Sequence, residues 1–157
     1  AVAGGRGRQA KAWREEARHR ELSNVQFLGY LPQTELPAFL RAVDLLALPY
    51  LSAETAPITS PLKFFEYLAA ARPIVACHLP AMTRFSSLPG TDLSWSPVGD
   101  TKAFTALLKA RLAAGPISPE AAARHLELAA NHTWRARQQR LHDAFEIPQK
   151  PPALATA

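Results

Sequence analysis

The sequence of 157 residues has one cysteine, Cys77, and no apolar run of about 18 residues or more. A single cysteine excludes an internal disulfide and fits a reducing compartment. Because Cys77 falls in a short apolar stretch, the pattern predicts a buried and unreactive thiol. Without a long apolar run, the sequence predicts no transmembrane helix.

Patterns typical of metal ligands are absent as well. His19, His125, His132 and His142 have no metal-ligand spacing with one another. His78 follows a predicted strand, where a turn residue bonded to the backbone is the simpler interpretation. We therefore expect no metal site.

The net charge is +5, from 18 lysines and arginines against 13 acidic residues. Arginines cluster between Arg6 and Arg20, and again between Arg135 and Arg140. A basic surface attracts nucleotides, nucleic acid or anionic lipid, but solvated helix faces explain most of these residues. The sequence has no basic stripe interleaved with aromatics and no helix-turn-helix pattern, so nucleic acid is not the expected partner.

Short apolar segments alternate with helical ones along the first half of the chain. This alternation predicts an α/β fold, a Rossmann-like parallel sheet flanked by helices. The predicted strands are 1–3, 24–29, 43–50, 74–77 and an edge strand at 91–96. The predicted helices are 8–22, 35–42, 62–71, 83–87, 102–113, 120–130 and a last one from 133 to about 145.

Ligands of parallel sheets bind at the carboxyl ends of the strands. Gly4 and Gly5 follow the first predicted strand, and Tyr30 follows the second. Tyr50 follows the third, and Ser60 precedes the next helix. The pattern therefore predicts that these residues share one edge of the sheet.

The helix predicted at 62–71 is apolar nearly all round, which is typical of a buried helix. Its few polar groups therefore require a structural or functional explanation. Ser60 is a good N-cap and Pro61 suits the first helical position. A helix N-terminus favours a phosphate, and Lys63 adds a positive charge there. Glu66, one turn later, is placed to accept hydrogen bonds from sugar hydroxyls. A capped core helix with a Lys–Glu pair at i, i+3 explains the spacing equally well.

Two segments have a recognisable pattern. Residues 60–76 read S-P-L-K-F-F-E-Y-L-A-A-A-R-P-I-V-A, and residues 24–32 read N-V-Q-F-L-G-Y-L-P. Both resemble retaining GT-B glycosyltransferases of the family-4 type, above all the S-P-L-K subgroup of bacterial members that build cell-surface polysaccharides. The resemblance implies the C-terminal, donor-binding half of a GT-B fold that starts inside that domain, and so a fragment. It implies a nucleotide-sugar-binding domain at 1–146 and a loose Pro/Ala-rich tail at 147–157.

The resemblance also implies a reaction: transfer of a sugar, of the hexosyl type, from a nucleotide-sugar to a glycan or lipid-linked acceptor with retention. It assigns the donor diphosphate to Ser60, Leu62 and Lys63, and the ribose to Glu66. It assigns no catalytic residue. Cationic side chains and helix amides neutralise the leaving diphosphate in the family, so neither a metal nor another cofactor is implied. Candidates for lining the cleft are Gly4, Gly5, Arg6, Tyr30, Leu31 and Thr59.

The chain departs from the family pattern at two positions. Many members have two glutamates eight residues apart. Glu66 fits the second, but Ile58 occupies the position of the first, so the contacts to the donor sugar stay unassigned. Ala71 stands where the family usually has a glycine that ends the helix at positive φ. Alanine in that conformation costs roughly 1 kcal/mol.

The resemblance further implies an N-terminal acceptor-binding domain, and we expect the chain alone to bind nucleotide weakly and transfer nothing. We expect a cytoplasmic protein, and a peripheral contact with the inner face of the cell membrane stays open. One alternative is a degenerate, non-catalytic nucleotide-binding or interaction module, which the missing first glutamate and Ala71 favour. Another is a basic α/β domain that binds nucleic acid.

Overall fold

The computed structural model describes residues 1–3, 8–50 and 62–145. It confirms an α/β fold in which parallel strands are flanked by helices. The chain divides into two compact units, Ala1–Ala42 and Val43–Ala157. In the described part of the chain, every helix is too short or too polar to cross a membrane.

The first unit contains a two-stranded parallel sheet. Strand β1 (Val2–Ala3) pairs with β2 (Phe27–Gly29), and the helices are α1 (Arg8–His19) and α2 (Leu36–Arg41). Helix α1 ends earlier than predicted because Glu21 adopts a φ of +53° and the N–H of Leu22 bonds back to the carbonyl of Ala17.

The second unit is built on a three-stranded parallel sheet in the order β3-β4-β5. Strand β4 lies in the centre with all four residues buried, and β5 lies at an edge, as predicted. The strands are β3 (Leu46–Leu48), β4 (Ile74–Cys77) and β5 (Leu93–Ser96). The helices are α3 (Leu62–Ala69), α4 (Thr101–Ala113), α5 (Pro119–Ala130), α6 (Trp134–Phe145) and a 3₁₀ helix (Pro80–Phe85).

Helix α3 is held on the sheet by Phe64 and Leu68, both fully buried. The ring of Phe64 lies 5.1 Å from that of Phe85 and 5.8 Å from that of Trp95 on β5, measured between centroids. Burying a side chain of this size contributes about 1.5–3 kcal/mol. Lys63 and Glu66 lie off this buried face, so the packing of Phe64 and Leu68 fixes which groups α3 exposes.

Two helices of the second unit start at a capping side chain. The carboxylate of Asp100 accepts a hydrogen bond of 2.9 Å from the N–H of Ala103 at the start of α4. The hydroxyl of Ser118 accepts one of 3.2 Å from the N–H of Ala121 at the start of α5. Each cap satisfies a backbone donor that the helix leaves unpaired.

A buried polar network joins α4 and α5 to the amino end of β5. Nε2 of the fully buried His125 accepts a hydrogen bond of 3.0 Å from the N–H of Asp92. The carboxylate of Asp92 receives two hydrogen bonds from the guanidinium of Arg111, the first of them 2.6 Å long. Burial lowers the pKa of His125, although the carboxylate of Asp92 and the carbonyl of Arg72 act in the opposite direction. The imidazole is therefore neutral, as its acceptor role requires.

Ala71, where the family usually has glycine, lies two residues after the end of α3. Ala71 has a φ of +51°, the left-handed conformation that glycine adopts without strain. Its N–H bonds to the carbonyl of Leu68 at 3.0 Å, which closes the last turn. The expected strained alanine is therefore present.

Replacing Ala71 with glycine is expected to raise the free energy of unfolding by about 1 kcal/mol. The change removes roughly 1–2 kcal/mol of left-handed strain, which the greater entropy of glycine in the unfolded chain partly offsets. Ala69→Gly, inside the same helix, is the matched control and should lower stability by about 1 kcal/mol. Urea unfolding followed by circular dichroism measures both. An Ala71→Gly variant less stable than wild type would contradict the prediction.

The chain is expected to lose stability as the pH falls below about 6.5, because the pKa of His125 is lower in the folded state than in the unfolded one. Above pH 6.5 His125 is neutral in both the folded and the unfolded state, and its contribution to the free energy of unfolding is fully present. That contribution is lost as the pH falls through the pKa of His125 in the folded state. His125→Gln keeps an acceptor for the N–H of Asp92 but cannot titrate. Urea unfolding at pH 7.5 and 5.5 should give a smaller difference for His125→Gln than for wild type, and equal differences would refute the assignment.

Candidate functional site

The chain topology places the first turn of α3 at the carboxyl edge of the second sheet. Strands β3 and β4 are parallel neighbours joined through α3, so the helix runs back against the strands and starts where β3 ends. Leu62, Lys63 and Glu66 therefore lie at the edge where parallel sheets bind ligands. Five other residues predicted to contact the donor or line its cleft lie outside the described residues: Gly4, Gly5, Arg6, Thr59 and Ser60. The predicted tail at 147–157 also lies outside them.

Lys63 and Glu66 do not form the ion pair that a purely structural helix predicts. Lys63 is exposed and Glu66 is half-buried. Among the described residues, neither side chain has a hydrogen bond or a salt bridge. A free ammonium and a free carboxylate one turn apart are available to a ligand that has both anionic and hydroxyl groups.

A groove of about 460 Å³ begins at this end of α3. Leu62 and Glu66 line it on one side, and Trp134 and Arg137 of α6 line it on the other, with Phe65 between them. Lys63 is not part of the lining. Two of the predicted donor contacts, Leu62 and Glu66, thus line one groove. Trp134 and Arg137 line it too, although sequence analysis did not propose them for the site.

Aromatic rings fix the far wall of the groove. The guanidinium carbon of Arg137 lies 5.2 Å from the ring centre of Phe65 and 5.4 Å from that of Trp134. The His132 ring lies 5.0 Å from Phe65, and its buried Nδ1 has no hydrogen-bond partner among the described residues. Burial, and then the charges of three arginines including Arg137, lower the pKa of His132. The histidine is therefore a neutral part of the wall.

Trp134, Leu141 and Phe145 are the large apolar residues of α6. All three side chains are exposed, and no residue of α6 is buried. The i, i+3 spacing of Trp134 and Arg137 was the available signal, since it puts both on neighbouring positions of one helix face. The spacing does not predict that α3 lies across the groove from these two residues.

A second group of side chains surrounds the end of β3. The N–H of Tyr50 donates to Sγ of Cys77 at 3.2 Å, and Cys77 is buried as predicted. Burial raises the pKa of Tyr67 on α3, and the charges of Glu66 and Tyr50 raise it further. The Tyr67 phenol therefore stays protonated beside Glu66 and is available as a hydrogen-bond donor.

Tyr30 and Leu31, the predicted nucleobase contacts, belong to the first unit. They follow Gly29, which ends β2 at a φ of +74°. The side chain of Tyr30 is exposed and that of Leu31 is half-buried. The contact of Tyr30 and Leu31 with a base stays a prediction. The single sheet edge that the sequence predicts for the residues following the strands also stays a prediction.

Among the residues that the structure describes, no three His, Cys, Asp or Glu side chains come together as a metal site would require.

Comparison with solved structures supports the fold. HepE of Anabaena in complex with UDP matches with a TM-score of 0.70 and 17% identity, covering 92% of this chain and 40% of HepE. HepE in complex with UDP-glucose matches with a TM-score of 0.65 over the same shares of the two chains. At this identity the likeness establishes the fold alone, that of GT-B glycosyltransferases.

Sequence comparison adds a second relative. TuaH of Bacillus subtilis (strain 168), named as a teichuronic acid biosynthesis glycosyltransferase, is 33% identical over 63 residues, which make up 40% of this chain and 16% of TuaH. The chain therefore spans well under half the length of these relatives.

A profile of the family described as "Glycosyl transferases group 1" matches residues 1–113, most of the described fold. These residues include α3 and the sheet edge at which it starts. The chain belongs to the glycosyl transferases group 1 family.

Proposed function

We propose that this chain is the donor-binding part of a retaining, hexosyl-type glycosyltransferase of the S-P-L-K subgroup. It transfers a sugar from a nucleotide-sugar to a glycan or lipid-linked acceptor. The observation that supports this most directly is the pair of free side chains, Lys63 and Glu66, in the first two turns of α3 at the carboxyl edge of a parallel sheet. UDP is the nucleotide to test first, because the solved structures of HepE hold UDP or UDP-glucose.

Each proposed contact follows from the chemistry of its group. The diphosphate lies at the start of α3, where helix amides, the Ser60 hydroxyl and the Lys63 ammonium meet its negative charge. The ribose hydroxyls donate hydrogen bonds to the Glu66 carboxylate, which side-chain tilt in a helix directs toward the same end. Since these groups stabilise the leaving diphosphate, the proposal requires no metal ion.

The biological setting is also proposed. Transfer to a lipid-linked acceptor would take place in the cytoplasm at the inner face of the membrane, in an enzyme completed by an acceptor-binding domain. Similarity to TuaH, a protein named for teichuronic acid biosynthesis, agrees with a cell-surface polysaccharide as the product.

Titration calorimetry with UDP, GDP and ADP tests the donor site. Lys63→Ala and Glu66→Ala should each weaken the binding of UDP about tenfold, because each removes a hydrogen bond to or from a charged group. Lys109→Ala removes an exposed lysine from the last part of α4 and is the matched control, expected to leave the affinity unchanged.

Equal UDP affinity in all four proteins would overturn the proposed site. Salt-sensitive RNA binding that Lys63→Ala leaves intact would instead support the nucleic-acid alternative.

The 157-residue chain alone is expected to transfer no sugar, since the proposal requires groups from a second domain. Incubation with UDP-glucose and a lipid-linked or glycan acceptor, followed by measurement of released UDP, checks this. Turnover above the rate without protein would contradict it.

A further inference from the structure

We propose that α6 is a membrane-contact helix, and that its exposed stripe of Trp134, Leu141 and Phe145 inserts into the interface of a bilayer that contains anionic lipid. The proposed function names a membrane face but no surface of this chain that meets it. Helix α6 supplies that surface, and its binding to a bilayer requires neither the donor site nor the transfer reaction.

The three large apolar side chains of α6 lie on one face of the helix. Leu141 and Phe145 follow Trp134 by seven and eleven residues, a spacing that places all three within roughly 40° around the helix axis. The exposed fractions are 73% for Trp134, 57% for Leu141 and 70% for Phe145. A helix of a globular protein normally turns such a stripe toward the core. Because α6 turns it outward, the stripe marks an interaction surface.

Arginines flank this stripe without acidic partners. Arg135 and Arg137 lie one and three residues after Trp134, and Arg140 directly precedes Leu141. None of the three arginines forms a salt bridge with a described residue. Arg140 donates a hydrogen bond of 2.7 Å to the backbone carbonyl at the end of α5, which leaves its charge uncompensated.

The acidic residue of α6 lies away from the stripe. Asp143 follows Trp134 by nine residues, which places it on the opposite side of the helix. Its carboxylate accepts a hydrogen bond of 2.8 Å from the side-chain amide of Gln139. The face that carries Trp134 is therefore both apolar and cationic, as in helices that lie in the interface of a membrane.

The positive charge extends beyond α6. Arg84, in the 3₁₀ helix, is exposed, and its guanidinium carbon lies 4.7 Å from the ring centre of Phe85. Burial lowers the pKa of His132, and the charges of Arg84, Arg140 and Arg137 lower it further. Three arginines from two elements thus act on one point just before α6, and no described carboxylate forms a salt bridge with any of them.

Anionic lipid fits this combination better than the other partners that a basic surface attracts. Nucleic acid neutralises arginines but offers no apolar layer for Leu141 and Phe145. The centre of a protein interface is depleted in charge, whereas this stripe has arginines on both sides. A bilayer accommodates both features, because aromatic rings settle at the level of the headgroups and arginines meet the negative surface.

The position of Trp134 links this surface to the candidate donor site. Trp134 lines the groove that Leu62 and Glu66 line from the other side. Insertion of the stripe therefore places the start of α3 beside the headgroups, where a lipid-linked acceptor is held. This consequence rests on the proposed function, whereas the membrane contact itself does not.

Flotation of the 157-residue chain with vesicles tests the contact. The vesicles contain either phosphatidylcholine alone or an equimolar mixture with phosphatidylglycerol. The chain should bind the mixed vesicles about tenfold or more tightly than the neutral ones, and added salt should weaken that binding. Leu141→Ser should weaken it about tenfold, because the leucine no longer leaves water. Leu112→Ser, at an exposed leucine near the end of α4, is the matched control and should bind as wild type does.

Arg135→Gln separates the charge from the apolar stripe. It should weaken binding to the mixed vesicles about fivefold and leave binding to phosphatidylcholine unchanged. Lys109→Gln removes an exposed cation from α4 and is the control for this variant. All four substituted side chains are exposed, so circular dichroism should show the fold of wild type.

Fluorescence of Trp134 provides a second readout. Insertion should shift the emission to shorter wavelength on the mixed vesicles. Trp134→Phe should remove that shift while it keeps most of the affinity, and Trp13 and Trp95 remain as internal references.

Three results would overturn the inference. The first is that wild type does not bind the mixed vesicles. The second is that Leu141→Ser and Leu112→Ser bind equally well, which would reduce the contact to adsorption of a cationic protein. The third is a dimer in analytical ultracentrifugation that Leu141→Ser dissociates, which would assign the stripe to a second copy of the chain.

Titration with UDP keeps this inference apart from the proposed function. A chain that binds mixed vesicles through the stripe but binds no UDP retains α6 as the membrane contact and loses the proposed donor site. A chain that binds UDP but no vesicles loses the membrane contact alone.

Discussion

The packing of Phe64 and Leu68 against the second sheet determines what α3 presents to solvent. Because Phe64 contacts Phe85 and Trp95, the helix cannot rotate without opening the core, at a cost of about 3–5 kcal/mol for the loss of one such ring. Lys63 and Glu66 lie on the remaining surface of the helix, and neither pairs with a described side chain. The candidate donor site is thus a consequence of how one apolar helix is buried.

Much of the second unit could be predicted from local patterns. Apolar runs located β3 and β4, and the helices predicted at 102–113 and 120–130 match α4 and α5 to within one residue. The predicted strand at 43–50 is reduced to Leu46–Leu48, since strand length depends on a paired neighbour and pairing starts where the N–H of Leu46 meets the carbonyl of Pro73. A periodic pattern records which residues are apolar but not where hydrogen bonding to the next strand begins.

The opposite wall of the groove could not be predicted in this way. Phe65 and Trp134 are far apart in the sequence, and they line one groove because α5, which precedes α6, packs on α3. No local spacing encodes that approach. The family pattern was also limited, because it describes the start of α3 and the glycine position at Ala71 but leaves the donor sugar without an assigned contact.

The network of His125, Asp92 and Arg111 lies at the amino end of β5, whereas α3 begins at the carboxyl end of the sheet. The buried network and the candidate site therefore lie at opposite ends of the second sheet. Substitutions at the candidate site therefore leave the contacts of the buried network unchanged.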